Sequence, residues 1–147
     1  MSITEVSTQQ DTERTFSVLT VVGGAMVASG SLLPWITAID NYGNTASFTG
    51  MVAGVRGDGP YVLGCGVIAL CLGVARLVSS IRPGLQRLPI LFALFAGYAA
   101  VVDLDAISRL SCPGLLIASG PGLYAVLVGA AVATVGGFVV SRDESGS

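Results

Sequence analysis

Four stretches of this chain, residues 15–39, 59–75, 88–102 and 110–141, contain no Asp, Glu, Lys or Arg. Each is dominated by Val, Leu, Ile, Ala and Gly. Apolar runs of this length cannot all be hidden inside one soluble domain of 147 residues. A hydrocarbon core about 30 Å thick, by contrast, asks for about 20 such residues per helix. Composition agrees, because only 11% of residues are charged, against roughly 25% in a soluble domain. The expected fold is all-α: a polytopic bundle of four transmembrane helices over residues 15–141, joined by two outer loops. Residues 1–14 read as a disordered cytoplasmic tail and 142–147 as a second cytoplasmic tail, which leaves no length for another folded domain.

The first run is too long for a signal-peptide core and no A-x-A site follows it, so it reads as a retained helix. It is expected over residues 16–38, with Pro34 and Trp35 at its far end and the Trp35 ring anchored in the headgroup zone. Residues 39–58 form a polar, Gly-rich loop in which SFTGMVAGV suits a short hairpin. The second helix is expected over 59–80, with Pro60 in its first turn, where a missing N–H is harmless. A turn around Pro83–Gly84 leads to a third helix over 87–106. A second loop, 107–120, leads to a fourth helix over 121–141. Arg14, Arg76, Arg82, Arg87 and Arg142 lie on one side of this arrangement and Arg56 and Arg109 on the other. That asymmetry puts both termini in the cytoplasm.

The second and fourth helices echo each other. Gly57, Gly59, Tyr61, Gly66 and Gly73 match Gly120, Gly122, Tyr124, Gly129 and Gly136 at a constant offset of 63. Each helix opens Gly-x-Gly-x-Tyr and then repeats Gly every seven residues, and Gly23 and Gly30 repeat that interval in the first helix. Seven residues make two turns, so Gly59, Gly66 and Gly73, and likewise Gly122, Gly129 and Gly136, form smooth stripes. Such stripes let helices approach closely where lipid competes for apolar side chains. Packing inside the bundle is the expected use of these stripes. Tyr61 and Tyr124 become interfacial anchors.

Several chemistries are excluded. The chain has no His and no Lys, so histidine metal or haem sites, His-based catalysis and Schiff bases have no residues to work with. No P-loop or nucleophile elbow is present, and no basic run suits nucleic acid. Cys65 and Cys71 point in different directions on one helix, and a Cys65–Cys112 disulfide stays open. No ionisable group is expected deep in the membrane. The candidate polar cluster is the outer one: Arg56, Asp58, Asp103, Asp105 and Arg109. Asp105 and Arg109 have ordinary i,i+4 salt-bridge spacing. The uncharged core before Asp103 spans only about 22 Å, which places Asp103 at the outer hydrocarbon boundary with Arg56 as its expected partner. The cluster reads as a solvated rim, with a small cation or headgroup site as the functional alternative. No metal, cofactor or catalytic residue is expected.

The sequence LLPW, then a Gly-rich loop, then GDGPY opening the second helix and GPGLY with a later GG in the fourth, resembles small four-helix integral membrane proteins of high-GC Gram-positive bacteria. The resemblance covers about residues 20–140. It implies a bacterial plasma membrane and carries no site residues, because that group has no established activity. The expected role is a non-catalytic accessory or structural subunit of a larger membrane complex, with a protein partner or a homo-oligomer in the lipid bilayer. The alternative is an oligomeric pore or small-solute transporter.

Overall fold

The computed structural model describes residues 3–53, 58–78, 85 and 87–143, with side chains over 14–51, 58–78, 85 and 87–138. The elements run α1 (Ile3–Leu32), β1 (Pro34–Asp40), β2 (Thr45–Thr49), α2 (Gly50–Ala53), α3 (Gly59–Val78), α4 (Leu88–Ser108), β3 (Leu115–Ser119) and α5 (Pro121–Asp143). Among the described residues, four helical segments are long and apolar enough to cross a membrane: Arg14–Leu32, Gly59–Val78, Leu88–Ser108 and Pro121–Phe138. α1 packs on both α3 and α5, and α4 packs on the same two helices from the opposite side.

The fold is not purely α-helical, because both loops at one end contribute to a sheet of order β2-β1-β3. α1 ends at Leu32 rather than at residue 38. Leu33 precedes Pro34, whose ring drives the preceding residue out of the helical region. The Leu33 N–H closes the last turn onto the Gly30 carbonyl at 3.3 Å. Beyond it, β-branched Ile36, Thr37 and Ile39 suit a strand. At its other end α1 begins at Ile3, inside the segment expected to be tail. No Gly or Pro interrupts residues 3–22, so a formed helix propagates through them at one bond per residue.

The hairpin also lies earlier than expected. It joins β1 to β2, with Ile36 opposite Phe48 and Ile39 opposite Thr45, while Gly50–Ala53 are helical. Its turn is fixed by Asp40, whose Oδ1 accepts from the N–H of Tyr42 at 2.9 Å and of Asn44 at 2.8 Å. Oδ2 accepts from Asn44 Nδ2 at 2.8 Å. Gly43 supplies the positive φ of +84° that closes the turn. The Asn44 side chain, followed by the turn's backbone N–H groups, holds the Asp40 carboxyl below its ordinary value. On the other side β1 pairs antiparallel with β3, Ile36 opposite Ser119 and Asp40 opposite Leu115.

The heptad glycines sit where helices cross. A Cβ on Gly66 would lie 2.6 Å from the Ala28 nitrogen, and one on Gly73 would lie 2.8 Å from a Val21 methyl. Seven residues along α3 thus retrace seven along α1, as antiparallel packing requires. α5 does the same on another face of α1: Gly122 meets the Gly30 carbonyl, Gly129 the Gly23 carbonyl and Gly136 the Phe16 carbonyl, at 2.6, 2.8 and 2.7 Å from the corresponding Cβ positions. α3 and α5 share their glycine pattern because both dock on the same helix at the same interval. Buried hydroxyls stay satisfied within their own helix, Thr20 on Phe16 O at 3.2 Å and Ser31 on Ala28 O at 2.7 Å.

Candidate functional site

The strand-capped end of the bundle is built around Trp35. Between Pro34 and Ile36 the β1–β2 register slips, a bulge that re-aims one side chain. The residue it re-aims is Trp35, which turns into the bundle and is 1% exposed. It is a buried plug and not the expected headgroup anchor. Its Nε1–H donates to the Gly30 carbonyl at 3.0 Å, the same carbonyl that accepts the Leu33 N–H at the end of α1. Glycines make room for the ring. Gly50 lies against the ring-fusion atoms Cδ2 and Cε2 and against Nε1, and a Cβ on Gly122 would fall 2.8 Å from Trp35 Cδ1. Around it the core gathers Val27, Val62, Ala96, Ala100, Ile107, Leu123 and Val126.

The sequence-expected polar cluster divides. Asp105 and Arg109 meet, with Arg109 Nη2 at 3.0 Å from Asp105 Oδ2 and both side chains more than half exposed. A pair so open to water contributes about 0–1 kcal/mol. Asp58 is half-buried just before α3, and its backbone carbonyl accepts the Val62 N–H at 3.0 Å. Arg56 lies outside the described residues, and with it the expected Asp103–Arg56 pair.

Asp103 is the surprise of the cluster. It is 1% exposed and lies within the candidate span Leu88–Ser108, five residues from its end. The cause is its position in α4. Ala93, Ala96, Ala100, Asp103 and Ile107 are all buried, and their spacing alternates three and four, which is one helix face. Asp105, two residues on, is turned to the opposite face. The two carboxylates therefore cannot act as a pair on one substrate.

The opposite face of α4 repeats the same interval. Leu91, Leu94, Tyr98 and Val101 are 60, 54, 69 and 53% exposed, and Asp105 completes the row. This second seam was not found among the sequence-expected sites, although its three-four spacing is written in the sequence. Tyr61 and Tyr124, expected as anchors, are exposed near the sheet end, and the Tyr124 hydroxyl lies 2.8 Å from Ser119 Oγ. All three cysteines are free thiols. Among the described residues no group of three His, Cys, Asp or Glu is placed to hold a metal. No protein-family model matches this chain, and no curated protein matches it.

Proposed function

We propose that this chain is a multi-pass protein of a bacterial plasma membrane, with both termini in the cytoplasm, serving as a non-catalytic accessory or structural subunit of a larger membrane complex. The observation that carries this reading is the sheet beyond the ends of the spans. One face of it presents Thr37 and Ile39 of β1, Thr45 and Ser47 of β2, and Leu116 and Ala118 of β3. That face bears no charge, and Leu116 is 74% exposed. The two edge strands, TASFT and LLIAS, lack charge and proline, the devices that usually keep a sheet edge from pairing. An uncharged edge beside an uncharged face suits strand addition by another protein. The arginine asymmetry supports the orientation, and the Trp35-centred packing supports a rigid scaffold.

Asp103 favours a second reading, an oligomeric pore or small-solute transporter, because ionisable groups inside spans commonly mark ion or substrate paths. Purification in mild detergent separates the two. The accessory-subunit reading expects a stoichiometric second protein that co-purifies with the wild type and is lost in Leu116→Lys. A chain that purifies alone and conducts ions after reconstitution, with conductance lost in Asp103→Asn, supports the second reading and counts against the first.

A further inference from the structure

We infer that the outward seam of α4 is the contact between two copies of this chain within the membrane, with Tyr98 at its centre; the inference rests on the membrane-spanning reading above. Leu91, Leu94, Tyr98, Val101 and Asp105 repeat at alternating intervals of three and four, the spacing by which helices interlock side chains over several turns. Lipid tails cover Leu and Val as well as a protein does. They do not satisfy a phenol.

Tyr98 lies ten residues from either end of α4, so about 15 Å of helix separates it from each end. Side chains on a helix lean toward its N-terminus, which carries the hydroxyl away from the Ser108 end and still leaves it far from Leu88. No described residue hydrogen-bonds this hydroxyl, and the side chain is 69% exposed. A hydroxyl held in hydrocarbon without a partner is costly.

A second copy supplies that partner. A hydroxyl both donates and accepts, so of two Tyr98 residues facing each other at the same depth across a twofold axis along the membrane normal, one donates to the other. The outer end of the seam is also self-complementary. Each copy brings one Asp105 and one Arg109, already paired at 3.0 Å, and the two pairs can exchange partners without adding net charge.

The test uses the full chain in membranes, with Cys65, Cys71 and Cys112 replaced by Ser and one new cysteine at a time. Leu94→Cys, Tyr98→Cys and Val101→Cys probe the seam. Ile68→Cys and Val128→Cys probe outward positions of α3 and α5, which are 41 and 52% exposed. Mild oxidation is expected to give disulfide-linked dimers of this chain at the three seam positions and little at the two controls. Adding Tyr98→Phe to the Leu94→Cys chain is expected to lower the dimer yield about threefold, the size of one interhelical hydrogen bond in lipid. Equal yields at seam and control positions, no dimer in inserted protein, or cross-links only to a different protein would each overturn the proposal. Carbonate extraction distinguishes the other failure: chains released by carbonate are not inserted, which overturns the membrane reading and this proposal with it.

Discussion

Replacing Trp35 by alanine is expected to destabilise the bundle by about 3–5 kcal/mol, the range for emptying a fully buried large aromatic site. Trp35 is the largest fully buried side chain, and three structural features converge on it. Its ring fills the space left by Gly50 and Gly122, its Nε1–H caps the Gly30 carbonyl at the end of α1, and its position in the β1 bulge ties the sheet to the helices. Trp35→Phe separates these roles, since it keeps most of the volume and gives up a hydrogen bond worth about 1 kcal/mol. Thermal unfolding in detergent is expected to rank wild type above Trp35→Phe and Trp35→Ala lowest. Because Trp35 is the only tryptophan, fluorescence reports on this site alone. Its emission is expected to be blue-shifted and poorly quenched by aqueous acrylamide. Ready quenching would place the ring at the surface and remove the plug.

Leucine at Gly66 or Gly129 is expected to cost about 1–3 kcal/mol or more by overpacking, while leucine at Gly64 is tolerated. A Cβ on Gly66 meets the Ala28 backbone nitrogen at 2.6 Å, and one on Gly129 meets Met26 Cβ at 2.7 Å and the Gly23 carbonyl at 2.8 Å. Backbone cannot swing aside as a flexible side chain can, so α1 must move bodily. Gly64, two residues from Gly66 on the same helix, has nothing within 4 Å of its Cβ position. Leucine there gains helix propensity worth up to about 1 kcal/mol. Melting temperatures of the three variants in one detergent compare the same substitution with and without a packing partner. Equal loss at all three would remove the close-packing account.

The four spans were legible in the sequence because charge is excluded from apolar helices over many consecutive residues, and that signal survives any detail of packing. Their ends were less legible. Residues 33–39 are as uncharged as residues 15–32 before them, so hydropathy ran the first helix into a strand, and only Pro34 marked the stop. β3 was missed because LLIAS is four apolar residues and a serine between loop signals, too short to distinguish from helix or coil. The Asp105–Arg109 pair was legible from spacing alone. The burial of Asp103 was also legible in principle, through its three-four spacing from Ala93, Ala96 and Ala100, but the shortness of the uncharged core drew attention to depth and away from helix face. Trp35 illustrates the opposite limit. A tryptophan after an apolar run reads as an interfacial anchor, and nothing local to it reveals a bulge whose partner strand begins ten residues later.

The central claim is that four helices cross the membrane and leave the sheet end outside and both termini inside. Cys112 is exposed in the turn before β3, which makes it the direct probe. A chain keeping only Cys112 is expected to react with a membrane-impermeant thiol reagent in intact cells, while a chain whose only cysteine is Ser145→Cys reacts only after lysis. Reaction of Cys112 only after lysis, or of both positions in intact cells, would contradict this topology.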